Sequence, residues 1–249
     1  KRVCHTIFSC MLAFSSLLGN VEGQNIYRIW YDKPASYWEE ALPVGNGRIA
    51  AMVFGDPQLE QIQLNEETVS AGSPYQNYNE EAKTALPEMR RLIFEGKYEE
   101  AQNMAATKIL SQVGNEMPYQ TVGRLNIRYQ DHKKVNNYYR DLDISNAVAV
   151  TRYEVDGVEF TEETFASFTD QLVIRHIKAS KPGTINCELF FNTPMRDPKR
   201  SIYGKKGLRL EGITHGSRYF PGKVHYCADL DVKHKGGKVI TASRKPFFP

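Results

Sequence analysis

AVAVTRYEVDGVEFTEETFASF, Ala147 to Phe168, decides the fold. Two runs that alternate apolar and polar residues, 147–155 and 158–168, flank Asp156-Gly157. An Asp-Gly pair between alternating runs is the strongest short-range signal of an antiparallel hairpin. The neighbouring sequence repeats the pattern. Strand-like runs follow at Leu172–Ala179, Thr184–Asn192, Leu208–Thr214, Val224–Lys233 and Lys238–Thr241, and one precedes at Gly123–Tyr129. Turn chemistry separates several of them, at Ser180-Lys181-Pro182-Gly183 and at Lys235-Gly236-Gly237-Lys238.

Upstream, Tyr27–Tyr31 reads as a first strand, stopped by Asp32, Lys33 and Pro34. Ile49–Gly55 and Leu59–Leu64 form a hairpin pattern joined by Gly55-Asp56-Pro57-Gln58, with Gln61 and Gln63 alternating against Ile62 and Leu64. Only between Glu80 and Leu110 does the apolar spacing become helical. Two helices, or one kinked helix, are expected there, broken at Glu95-Gly96-Lys97, with Pro87 in a first turn. The expected fold is mainly β: a large antiparallel β-sandwich, or super-sandwich, with a short helical insert around residues 80–110.

Composition agrees with a packed domain. The chain has 249 residues, 41% hydrophobic and 24% charged, enough apolar content to bury a core. Lys1 and Arg2 lead into an apolar stretch, Ile7–Leu18, and then Val21 and Gly23 at the spacing a signal peptidase reads. Residues 1–23 are therefore read as a signal peptide and 24–249 as one domain, secreted or periplasmic. Removing the leader leaves a net charge of +2, which predicts neither a nucleic-acid nor a membrane partner. Cys187 and Cys227 remain, either bridged or as two free thiols.

Gly45-Asn46-Gly47 resembles a phosphate cradle only until the next residues are read. Such a cradle needs a following helix, and Arg48–Gly55 is a strand pattern, so a tight turn is expected. Gln61–Gly72 gathers Asn65, Glu66, Glu67, Thr68 and Ser70 just past a strand end, a set suited either to hydroxylated ligands or to turn and cap chemistry. Glu66 and Glu67 are adjacent, so on a strand they cannot flank one glycosidic bond as acid and base. None of the six His residues has metal-pair spacing, and no nucleophile elbow is present, so neither a metal nor a cofactor is expected.

Four blocks in order, Trp30–Gly55, Gln61–Pro74, Leu86–Gln102 and Tyr139–Ser180, resemble the N-terminal domain of glycoside hydrolase family 95, the α-L-fucosidase family. The resemblance implies a β-sandwich that packs on a following (α/α)6 barrel, which carries the catalytic carboxylates and inverting chemistry on fucosylated oligosaccharides. Twelve helices need well over about 150 residues. The 49 residues from Ser201 to Pro249 read as strands and turns, so the barrel is expected to be absent and the chain truncated at its C-terminus. No catalytic residue is assigned. Asn46, Arg48, Asn65, Glu66 and Thr68 are the expected contacts to the sugar or to the barrel.

The sequence departs from the resembled pattern twice. Val69 stands where a Trp is usual, and Glu162-Glu163-Thr164 stands where Arg-Glu is usual, a change expected to remove an internal ion pair. Two rival readings remain: a stand-alone carbohydrate-binding sandwich, for which Trp30 and Trp38 would have to form an aromatic platform, and a sandwich of the maltose-phosphorylase type.

Overall fold

The computed structural model describes residues 27–72, 76–111, 117–217 and 221–242. The expected signal peptide and the tail from 243 lie outside the described residues. Thirteen strands appear among those residues: β1 Arg28–Tyr31, β2 Leu42–Gly45, β3 Ile49–Val53, β4 Leu59–Glu66, β5 Gly123–Tyr129, β6 Val135–Asp143, β7 Val148–Val155, β8 Val158–Ser167, β9 Leu172–Ala179, β10 Cys187–Asn192, β11 Arg196–Tyr203, β12 Gly207–Ile213 and β13 His225–Leu230. They form three antiparallel sheets, ordered β1-β6-β7-β8-β9, β10-β5-β4-β3-β2 and β11-β12-β13.

The sheets meet through their apolar faces. Leu42, Val44, Ala51, Val53, Ile62, Leu125 and Ile127 come from the second sheet, Leu142 and Ala149 from the first, and Leu210 from the third. Each residue sits at the inward phase of an alternating strand, which is how a period-two pattern becomes a sandwich core. Beyond this core, Tyr153, Val155, Val158 and Phe160 close a second cluster around the β7–β8 hairpin. Asp156 and Gly157 take φ values of 49° and 69°, the left-handed pair that a two-residue hairpin turn demands.

Three strands escaped the sequence reading. β2 is a four-residue edge strand containing Pro43. β6 reads VNNYYRDLD and carries a register shift between Asn136 and Tyr139, where Asn137 adopts a φ of 51°. β11 is an edge strand with Pro198 beside an irregular register. Conversely, Lys238–Thr241 is no strand and β13 stops at Leu230: no strand among the described residues pairs with the segment, and Ile240 is 81% exposed. β propensity without a ladder to join does not make a strand.

The helical insert is α1, Ala82–Phe94, and α2, Tyr98–Met104, continued by a π turn over Ala105–Ile109. The break falls at Glu95–Lys97 as expected, with Gly96 at a φ of 77°. Pro87, however, lies inside α1, because the helix begins a turn earlier: Asn79 receives the Ala82 amide on its carbonyl (3.0 Å) and the Glu81 amide on its side chain (3.1 Å). The missing proline N–H frees the Lys83 carbonyl at an exposed position, where water can satisfy it.

Candidate functional site

The Gly45-Asn46-Gly47 stretch is the tight turn between β2 and β3, with Gly47 at a φ of 92°. Asn46 explains its shape. Its Oδ1 accepts from the amides of Arg48 (3.0 Å) and Ile49 (2.9 Å), while Nδ2 donates to the Ser167 carbonyl (2.9 Å) and to Gln171 Oε1 (3.3 Å). All four hydrogen-bonding capacities of the amide are thus spent inside the fold. Because Ser167 ends β8 and Gln171 precedes β9, Asn46 ties a hairpin of the second sheet to a hairpin of the first.

Three of the five expected contact residues converge. Glu66, the last residue of β4, takes Arg48 Nε on Oε1 (3.2 Å) and both the amide (2.8 Å) and hydroxyl (2.5 Å) of Thr68 on Oε2. Partial burial works to raise the Glu66 pKa, but Thr68 and Arg48 outweigh it and hold the carboxyl below its ordinary value. This carboxylate stays ionised and accepts hydrogen bonds; it is not poised to give up a proton. Arg48 and Thr68 are exposed, so the cluster borders solvent. Asn65 stands apart: it pairs with Ala50 on the opposite face of β4, and its Oδ1 is buried without a hydrogen-bond partner among the described residues. Glu67 is exposed in the turn beyond β4, its amide on the Arg48 carbonyl (3.0 Å).

The two tryptophans do not make one platform. Trp38 lines an open apolar cavity of about 450 Å³ between the edge strands β1 and β2, with Ile29, Tyr31, Leu42, Pro43 and Met52. Trp30, one position out of phase with Ile29 and Tyr31, faces the other side of β1 and stacks on Tyr139 at 6.2 Å. Cys187 and Cys227 are free thiols. Among the described residues, no group of three or more His, Cys, Asp or Glu could hold a metal ion, and no helix is long and apolar enough to cross a membrane.

The largest concentration of buried charge lies elsewhere, between the sheets. Glu60 on β4, Glu162 on β8 and Arg175 on β9 are almost entirely enclosed, and Arg175 Nη2 donates to Glu60 Oε2 (2.7 Å) and to Glu162 Oε2. Nη1 donates to Thr164 (2.6 Å), while Nε has no hydrogen-bond partner among the described residues. Tyr129 and Tyr153 donate their hydroxyls to Glu162 Oε1 at 2.6 and 2.5 Å, and the Phe54 and Gly55 amides donate to Glu60 Oε1 at 3.2 and 2.9 Å. His132 donates from Nδ1 to the Pro57 carbonyl (2.9 Å) and stacks on Tyr129 at 4.2 Å. Burial pushes Glu60 up to about 7 despite Arg175. For Arg175 burial opposes the charge, yet Glu162 and Glu60 raise its pKa further; burial and the Glu162 charge likewise keep both tyrosines protonated.

Glu162 was expected to cost an ion pair, and it makes one instead. The sequence did carry a sign of this cluster: Glu60, Glu162 and Arg175 share the inward phase of Ile62, Phe160 and Ile177 respectively. Three charges in core phase on three strands require one another.

Gly55 closes the cluster. At a φ of 76° its Cα offers no room: an added Cβ would lie 2.8 Å from Tyr138 Oη and 2.9 Å from Arg140 Cδ. Gly55→Ala is expected to cost about 1–3 kcal/mol from backbone strain and steric conflict, read as a lower urea midpoint at unchanged slope.

Against known proteins, residues 29–247 match the glycosyl hydrolase family 65, N-terminal domain. The chain belongs to this family of glycoside hydrolase N-terminal domains, and its antiparallel sandwich is the architecture just described. It is similar to a protein of Arabidopsis thaliana named Alpha-L-fucosidase 2, 37% identical over 181 residues that cover 70% of this chain and 21% of the relative. Two proteins named Probable alpha-fucosidase A are more distant. The one from Aspergillus niger is 26% identical over 61% of this chain and 20% of its own length, and the one from Aspergillus oryzae 25% identical over 80% and 28%. The chain thus spans between a fifth and just over a quarter of these relatives.

Proposed function

We propose that this chain is the N-terminal sandwich of a secreted α-L-fucosidase of the family 95 type, acting on fucosylated glycans. The likeness to the Arabidopsis fucosidase over 70% of this chain carries the reading. The acid and base that invert the anomeric centre belong to a helical barrel outside the 249 residues. The state of Glu66 supports that division: Arg48 and Thr68 hold it as a carboxylate, suited to accept hydrogen bonds from sugar hydroxyls or from barrel donors. Arg48, Glu66 and Thr68 form the contact edge, Asn46 fixes the turn that presents Arg48, and Asn65 supports the same strand end from its opposite face.

The test compares this chain, and this chain joined to the rest of its encoded polypeptide, on a chromogenic α-L-fucoside and a fucosylated oligosaccharide. The isolated chain should release no fucose and the longer protein should. Turnover by the chain alone would show that it holds catalytic groups, and a longer protein inert on both substrates would remove the fucosidase reading. In the longer protein Glu66→Gln should raise KM several-fold with kcat little changed, since the lost interaction binds ground state and transition state alike.

A further inference from the structure

We infer that the inter-sheet cluster of Glu60, Glu162 and Arg175, two enclosed carboxylates converging on one guanidinium nitrogen, is a proton-operated clasp that holds the sheets together more firmly in acid than at neutral pH.

The geometry sets up the imbalance. Two carboxylates converge on one guanidinium nitrogen, Arg175 Nη2, while the guanidinium Nε has no hydrogen-bond partner among the described residues and Nη1 is spent on Thr164. With both acids ionised, the three groups carry one uncompensated negative charge in a place with almost no solvent. Among the described residues, no other cation is ion-paired with Glu60. Arg140 on β6 is cationic and close enough to interact, but its bonds go to the Lys33 and Glu40 carbonyls at 2.7 Å each. Tyr138 on β6 donates to the Gly55 carbonyl, and Asp56 in the β3–β4 turn adds further negative charge. Tyr129 on β5 and Tyr153 on β7 serve Glu162, His132 beyond β5 is kept neutral by burial, and Cys187 on β10 is held as a thiol beside Glu162. One proton from solvent on Glu60 neutralises the set.

The sign of the linkage follows. Glu60 titrates near 4.5 when unfolded and at about 7 in the fold, so the native state binds the extra proton and stability falls as pH rises from about 4.5 to about 7, levelling beyond. His132 works the other way. Its pKa is lowered in the fold, so acid below 6.5 costs stability at that ring, and the raw profile is a dome. Partly buried carboxylates with lowered pKa values, such as Glu66 and Glu163, act below the same window.

Glu60→Gln isolates the clasp, because it cannot titrate. The unfolding constant of the wild type relative to Glu60→Gln, from urea curves, should rise on the order of 100-fold between pH 5 and pH 8. Glu163→Gln, on the exposed face of β8, should show no such rise. A ratio that stays flat or falls for Glu60→Gln overturns the proposal. Should that variant not fold, the wild type decides alone: infrared spectra of the native chain should show a buried protonated carboxyl band that disappears near pH 7, and its absence from pH 5 to pH 8 would be equally fatal.

Discussion

Arg175→Met should be severely destabilised at 25 °C. The variant strands Glu60 and Glu162, both without solvent, and removing one partner of a buried ion cluster costs about 3–5 kcal/mol. Domains of this size are stable by about 5–15 kcal/mol, so the loss takes a large share of the total. Circular dichroism with urea titration reads it directly. Stranded charge rather than lost attraction sets the cost, and a second variant separates the two. Replacing all three residues, Arg175→Met with Glu60→Gln and Glu162→Gln, should recover most of the loss, because burying a neutral set avoids the desolvation that the ions had to offset. A triple variant as unstable as the single one would mean that packing of the Arg175 stem, not charge, is what the core requires.

Arg140→Ala is the second large effect, and it acts on a different segment, the one between β1 and β2. Arg140 is fully buried, its Nε and Nη1 each 2.7 Å from the Lys33 and Glu40 carbonyls, and its guanidinium lies 4.1 Å from the centre of the Tyr31 ring. It therefore fastens the segment between β1 and β2, which includes the short 3-10 turn Trp38–Glu40, to the inner face of β6. Truncation orphans two carbonyls and leaves a void, each worth about 1–3 kcal/mol. The expected cost is about 3 kcal/mol, with faster amide exchange at Ala35 and Ala41 before any global change. Arg48→Ala, which removes an exposed ion pair with Glu66, should shift stability by no more than about 1 kcal/mol.

How much could be read beforehand follows from what each signal measures. The β7–β8 hairpin was legible because its alternation and its Asp-Gly turn are local, and the helix break at Gly96 was legible for the same reason. β6 was not, since its residues are chosen by neighbours: Arg140 and Asp141 are buried because β1 and β7 flank them, and nothing within VNNYYRDLD announces that. β2 and β11 hide behind prolines that only an edge position tolerates. At the candidate site the sequence located the polar turn correctly but could not tell which side chains were already committed. Asn46 looked like a ligand contact, and its amide is consumed by Ser167 and Gln171, more than 120 residues away. Glu60 hid inside an apolar run whose alternation is legible around it, so its carboxylate passed unnoticed although its phase pointed into the core.

The path from β4 to β5 has one further consequence. The two strands are neighbours whose ladder ends at Leu64 opposite Gly123; beyond it, an isolated bridge pairs Ser70 with Tyr119, and the Ala71 amide donates to the Pro118 carbonyl (2.9 Å). Both helices lie in sequence between these points, an excursion from the β4–β5 pair. Such an excursion is nearly independent of the rest in its thermodynamics: doubling its length adds only about 0.6 kcal/mol of closure entropy, and shortening it leaves the strand pairing untouched. The exposed Phe94 and Tyr98 sit on this appendage. Changes to the surface they present are therefore expected to cost the sandwich little stability.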